Sequence, residues 1–218
     1  NLHVIVNKCN IILSGASSKS KSDHKVRLIA KKYKKKVIGL LDHWTLFKEA
    51  FTYKNKLILP SEIWVTNKKA YKIAKRTFTS ISIKIKENLL EKKIYKIKIK
   101  KNKFKNFLYF LEPLNNKSEF FVLKKFLNFL IINKIGKHIN LIFKVHPSET
   151  EGKYSKFIKS HYPFKYKIIK KSEIIKIIEW SDIVFGLRSY ALVLGLKAKR
   201  NVITLLPYKN YNLTLPYK

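Results

Sequence analysis

The sequence predicts an α/β protein built on parallel sheets, and three observations carry that expectation. Short runs rich in β-branched and aromatic residues alternate with longer stretches of helical period. Several of those runs are apolar at every position, as strands covered by helices on both faces must be. The chain has 218 residues with 46% apolar and 28% charged positions, enough for one or two packed domains. Its 6 glycines and 6 prolines exclude collagen-like or low-complexity character. No uncharged apolar run of about 18 residues is present, so no membrane-crossing helix is expected.

In order along the chain, strands are expected at 10–14 (NIILS), 36–41 (KVIGLL), 62–66 (EIWVT), 106–111 (NFLYFL), 140–145 (NLIFKV), 165–169, 182–185 (DIVF) and 201–205 (NVITL). Helices are expected at 22–34, 68–76, 118–133, 154–160, 172–180 and 189–197. The helix at 118–133 opens on Ser118, a capping residue type, and carries Phe121, Phe126, Leu127 and Leu130 at helical spacing, which predicts a core stripe. Residues 84–105 differ, because lysine recurs at almost every second or third position and little remains to bury. That composition reads as a solvated linker or a frayed helix and strand. It divides the chain into lobes at 1–104 and 105–218, the first short of strands. The chain starts at Asn1 and contains no methionine, which together with the short first lobe points to a missing N-terminal portion.

The balance of 48 basic against 13 acidic residues gives a formal charge of +35. Only Arg27, Arg76, Arg188 and Arg200 are arginines, and isoleucine, asparagine, phenylalanine and tyrosine are abundant while alanine, glycine and proline are scarce. Those favoured residues have A/T-rich codons, so coding bias accounts for part of the basicity and attraction to phosphates or acidic lipids for the rest. Base reading favours bidentate arginine, and no RRM, KH, OB or helix-turn-helix signature is present, which argues against a nucleic-acid partner. Cys9 is the single cysteine, so no internal disulfide forms and a reducing, cytoplasmic location is expected. Peripheral contact with the anionic inner membrane face would suit the charge. The six histidines show no close pairing, so no metal is expected.

Lys144-Val145-His146-Pro147-Ser148-Glu149 follows directly on the strand at 140–145. In open α/β sheets ligands collect beyond the carboxyl ends of strands. Pro147 fixes the exit of the chain and leaves the His146 imidazole to donate to a phosphate or sugar oxygen. A ligand-free His-Pro turn is the alternative. The second motif is Trp180-Ser181-Asp182-Ile183-Val184-Phe185-Gly186-Leu187-Arg188-Ser189-Tyr190, a strand, a tight turn and a helix start. Gly186 is expected to allow a sharp turn, and Ser189 falls where free N–H groups and the helix dipole attract an anion. Arg188 would reach the same charge. Plain capping by Ser189 and plain exposure of Arg188 are the alternatives.

Together the two motifs resemble the C-terminal half of GT-B glycosyltransferases over residues 106–207. The likeness is to capsule and lipopolysaccharide enzymes using CMP-activated sugars such as sialic acid or Kdo, and to CDP-glycerol glycerophosphotransferases. It implies two Rossmann-like lobes with the N-terminal one truncated, a nucleotide-sugar co-substrate, a glycan or lipid-linked acceptor and no metal. By that resemblance His146, Pro147 and Ser189 are donor-site residues. The chain departs from the pattern after Ser189, where Tyr190-Ala191-Leu192-Val193-Leu194-Gly195 carries no carboxylate.

In the first lobe, Gly15, Ser17 and Ser18 follow the strand at 10–14, and Asp42, His43 and Trp44 follow that at 36–41. Both groups stand at carboxyl ends of predicted parallel strands and so on one rim, suited to a cleft between lobes. Gly15 and its hydroxyl neighbours fit an oxygen-rich acceptor or a phosphate, or form an ordinary loop before a helix. The spacing matches neither a Walker loop nor G-x-G-x-x-G, which withdraws support from ATP and NAD. Asp42 is expected as the base that takes the acceptor's proton, with Trp44 stacking on a sugar face. His43 is the alternative base, oriented by Asp42. Glu112, after 106–111, and Glu149 and Glu151, beyond His146-Pro147, are further candidates. A nucleotide-sugar glycosyltransferase is the function expected, against a UDP-sugar 2-epimerase-like enzyme, a basic nucleic-acid-binding module or an inactive remnant.

Overall fold

A computed structural model describes residues 1–16, 20–42, 47–98, 105–114, 117–150 and 152–208. The chain divides into two compact units, Asn1–Asn88 and Leu89–Lys218. Both are α/β with parallel sheets flanked by helices, the class expected from the strand pattern.

The first unit opens with helix α1 (Leu2–Lys8), followed by β1 (Ile11–Gly15), α2 (Lys21–Lys32) and β2 (Lys36–Leu41). After a short hairpin, β3 (Thr52–Tyr53) and β4 (Lys56–Leu57), come β5 (Glu62–Val65), α3 (Lys68–Thr77) and β6 (Ser82–Ile85). The four longer strands form a parallel sheet in the order β1-β2-β5-β6. The hairpin turns on Lys54 and Asn55, both at positive φ (48° and 59°), the two-residue geometry that matches strand twist. β5 packs Ile63 and Val65 fully inside, but β1 shows Ile11 and Leu13 to solvent, so not every apolar strand is covered on both faces.

Glu62, at the start of β5, gathers the charges at the amino end of this sheet. Its carboxylate accepts from the Trp64 indole N–H and from Lys84 Nζ at 3.0 Å, with Lys36 Nζ at 3.8 Å. Those two hydrogen bonds outweigh burial and hold the Glu62 carboxyl below the usual carboxylate range. The folded state therefore binds fewer protons here than the unfolded chain. The stabilisation is complete above the ordinary glutamate value and is lost as pH falls through the lowered folded value. Melting wild type and Glu62→Gln between neutral pH and about pH 3 is expected to show the wild type more stable at neutrality and the difference closing below about pH 4.3.

The second unit starts with α4 (Leu89–Ile94) and continues β7 (Asn106–Leu111), α5 (Ser118–Ile132), β8 (Asn140–Val145), α6 (Gly152–His161), β9 (Tyr166–Ile169), α7 (Ile174–Trp180), β10 (Ile183–Gly186), α8 (Tyr190–Lys197) and β11 (Asn201–Thr204). The sheet runs β11-β10-β7-β8-β9, all parallel. The chain thus lays strands outward on one side of β7 and then returns to the other, the order of a Rossmann half with its switch point between β7 and β10. Tyr109, Phe126, Phe143 and Phe185 meet in one aromatic core, with Leu127 and Leu130 fully inside. Burial of each such side chain contributes about 2 kcal/mol.

Several local expectations change. Ser118 is the first helical residue of α5, and the cap position belongs to Lys117, which takes φ 58° and makes no capping bond. Phe121 is half exposed under the Lys125 ammonium, while Val122 and Leu123 join Phe126, Leu127 and Leu130 in the core. The lysine-rich stretch holds part of β6 and all of α4, and it buries Glu91, Ile94 and Ile97.

Candidate functional site

The carboxyl end of the second sheet brings the two sequence motifs to one cavity of about 390 Å³. Lys144, His146, Ser172 and Ser189 form its polar edge, while Pro147, Phe110, Ile174, Tyr190, Ala191 and Leu194 supply apolar wall. The volume falls in the range of small-molecule sites. A larger cavity of about 550 Å³ lies near Asn140, Lys165, Tyr166 and Trp180, at the amino ends of the same strands. Ligands of parallel sheets collect at the opposite ends, so the smaller cavity is the candidate.

His146 leaves β8 through a turn in which its carbonyl accepts from Glu149 N–H at 3.0 Å, with Pro147 at the position that suits its fixed φ. The Ser148 backbone N–H donates to His146 Nδ1 at 3.2 Å, and Ser148 Oγ lies 2.7 Å from the same atom. A backbone N–H can only donate, so Nδ1 accepts and the neutral ring carries its proton on Nε2. The turn is anchored from below. Lys153 Nζ reaches Glu149 at 2.7 Å and the buried Glu119 at 3.1 Å. Burial disfavours the Lys153 ammonium, but the bonds from Glu149 and Glu119 outweigh it and hold the amine above its ordinary value. Beside it, burial pushes the Tyr154 phenol up to about 12.

Ser189 occupies the N-cap position of α8 with extended backbone, φ −69° and ψ 154°, yet makes no capping bond. Its Oγ is buried with no hydrogen-bond partner among the described residues. The first N–H groups of a helix also lack intrahelical partners, so hydroxyl and helix start together offer donors to an anion. Gly186 does not serve as expected: no glycine described has positive φ. What it supplies is closeness, since a Cβ there would stand 3.0 Å from Leu192 Cδ2. Arg188 and Glu112 meet each other across the switch point. Glu112 Oε2 accepts the Arg188 backbone N–H at 2.9 Å and Oε1 lies 3.5 Å from Nε, and neither residue lines the cavity. Lys144 was not singled out by sequence. The residue is 9% exposed, and its ammonium donates to the Lys170 carbonyl and brings a positive charge to the cavity wall.

In the first unit, Gly15 is the last residue of β1, and its carbonyl accepts from Arg27 Nη1 at 2.9 Å. Arg27 is buried and also bonds Ser14 Oγ at 3.3 Å and His24 Nδ1 at 2.6 Å, so it pins the strand end to α2. Burial lowers its affinity for a proton, and nearby Asp23 opposes that. Asp42 is exposed one residue beyond β2, at the carboxyl end of the first sheet. Ser17, Ser18, His43, Trp44 and Glu151 lie outside the described residues. Among the described residues no group of His, Cys, Asp and Glu is arranged to hold a metal ion, and no helix is long and apolar enough to cross a membrane.

No protein-family model matches the chain, and the curated proteins give no match. Solved structures do match. S. aureus MnaA in a co-structure with UDP aligns at TM-score 0.64 and 11% identity, over 93% of this chain and 60% of that one. The UDP-GlcNAc 2-epimerase of Methanocaldococcus jannaschii aligns at TM-score 0.53 and 14% identity, over 93% of this chain and 64% of that one. The chain thus spans somewhat under two thirds of the length of these structures, and what it shares with them is the GT-B-like α/β fold.

Proposed function

We propose that this chain is a nucleotide-sugar enzyme, a glycosyltransferase of surface-polysaccharide or lipopolysaccharide synthesis, whose second unit holds the donor phosphate at the 390 Å³ cavity. The observation that carries the reading is the Ser189 hydroxyl, buried without a partner at the start of α8 in the same cavity as His146. A buried hydroxyl left unbonded costs roughly 1–3 kcal/mol, a cost removed when a ligand oxygen accepts its hydrogen bond. Lys144 would supply positive charge, the His146 Nε2–H a directed donor, and the apolar wall a surface for base or sugar. Asp42 or His43 is the proposed base for an acceptor hydroxyl on a glycan or lipid-linked substrate. No step in this reading calls for a metal.

A second reading, a UDP-sugar 2-epimerase, draws support from the names of the matched structures. Both readings require a nucleotide at the cavity. Thermal melting with CMP, CDP, UDP and GDP compounds is expected to give a Tm rise with at least one of them, because binding to the native state alone stabilises it, by about 2.7 kcal/mol at a hundredfold excess over Kd. No shift with any nucleotide at millimolar concentration overturns both readings. Product analysis then separates them: sugar transferred to an acceptor in the first case, an epimerised nucleotide sugar in the second.

A further inference from the structure

α3 carries a charge arrangement that neither the first sheet nor the donor cavity uses. Its exposed residues are Lys68, Lys69, Lys72, Lys75 and Arg76, all cationic, while Ala70 and Ala74 are buried. At 100° per residue these five side chains fall within an arc of about 120°. Lys68, Lys72 and Arg76 follow one another about 6 Å apart along the axis and, with Ile73, border a shallow groove of about 370 Å³. No acidic residue occurs in the helix. Among the described residues, Lys68, Lys72 and Arg76 have no carboxylate partner.

In isolation this is an unfavourable design. Like charges at i,i+4 repel, and Lys68 and Lys69 stand in the first turn, where the helix dipole already disfavours cations. Coding bias toward lysine does not account for Arg76. Of the four arginines, Arg27 and Arg200 are buried among carbonyl acceptors and Arg188 pairs with Glu112. Arg76 alone is exposed with its guanidinium uncommitted among the described residues.

We propose that the exposed face of α3 docks on an anionic lipid surface, with Lys68, Lys72 and Arg76 against the headgroup phosphates. A cluster of four or more cations on one amphipathic helix has the charge density that attracts acidic leaflets. Lipid is favoured over nucleic acid because no described aromatic ring lies free on this face to stack on a base: Tyr71 is partly buried under Lys75 Nζ, 6.0 Å from the ring centre. This inference is independent of the proposed function, and its test reads no nucleotide chemistry.

The full chain is sedimented with vesicles of phosphatidylcholine alone or with one third phosphatidylglycerol, at about 0.1 M salt. The wild type is expected to partition onto the anionic vesicles only. Lys68→Gln, Lys72→Gln and Arg76→Gln combined should lower that partitioning about 100-fold. The control triple Lys124→Gln, Lys137→Gln and Lys159→Gln removes the same charge from exposed sites on the second unit and should lower it by less than about tenfold. All six side chains are exposed, so neither triple should lower the Tm, the α3 triple should raise it slightly by relieving repulsion, and a folding failure would be seen directly. Equal losses in the two triples, absence of binding to anionic vesicles, or loss only of single-stranded oligonucleotide binding in the α3 triple would each overturn the proposal.

Discussion

Replacing Ser189 by alanine is expected to stabilise the ligand-free protein by about 1 kcal/mol and to weaken nucleotide binding about tenfold. The two effects share one cause. The hydroxyl is buried without a partner, so the empty protein carries its desolvation cost and alanine removes it. In the complex that O–H would donate to a phosphate oxygen, a hydrogen bond to a charged group that contributes roughly 1.5–3 kcal/mol. His146→Ala is the informative companion. Among the described residues its imidazole is bonded only to Ser148, so truncation should leave Tm almost unchanged while lowering nucleotide affinity by 10- to 100-fold, through loss of a donor to a charged phosphate. Melting curves with and without the best nucleotide read both quantities. A Ser189→Ala protein that is less stable and binds as tightly as wild type would leave the hydroxyl with a packing role and withdraw the phosphate site.

The meeting of the two motifs at one candidate cavity was legible because parallel strands announce where they end. The apolar runs NLIFKV and DIVF mark two carboxyl termini, and anything polar immediately after them must stand on the ligand-bearing rim, which is how His146 and Ser189 come to one cavity. Lys144 was not legible. In a chain with 44 lysines one more inside a strand carries no signal, and only its burial on the cavity wall distinguishes it. Glu112 and Arg188 were visible as charged residues at strand ends, but their pairing depends on β7 and β10 being sheet neighbours, which local pattern does not reveal.

The fold shows the same division. Strands buried on both faces were found nearly residue for residue, whereas β6 was missed. It alternates as SIKI, buries only Ile83, and runs into the lysine tract. α4 was hidden by the same tract: Glu91, Ile94 and Ile97 form a spaced buried stripe, but the lysines between them dominate the composition. The β3–β4 hairpin strands are two residues long, too short for alternation to register. The expectation of a special turn failed at Gly186, whose backbone angle is ordinary and where an added Cβ would stand against the terminal Cδ2 of Leu192.

Asp182 illustrates a residue whose motif and task part company, and its loss should have the largest effect on stability. It belongs to the run that marks the site, yet it stands at the amino end of β10, a strand's length from the cavity. Its Oδ2 accepts the backbone N–H of Lys105 at 3.0 Å and of Asn106 at 2.9 Å, while its own N–H donates to the Asn106 carbonyl at 2.8 Å. Asn106 in turn donates from Nδ2 to the Trp180 carbonyl at 3.1 Å. These bonds fasten the start of β7 to the start of β10, the two strands whose adjacency creates the switch point. Asp182→Ala leaves two backbone donors without their acceptor, that of the exposed Lys105 within reach of water and that of the half-buried Asn106 less so, and with roughly 1–3 kcal/mol for an unmet donor a loss of about 2 kcal/mol and a Tm lower by about 6 °C are expected. Asp182→Asn should fall between, because its amide oxygen can take the place of Oδ2 and accept both N–H groups, but as a neutral and weaker acceptor than the carboxylate. If Asp182→Ala melts with the wild type, register at the switch point is fixed by the aromatic core alone, and the polar clasp at the far end of the strands has no part in shaping the cavity.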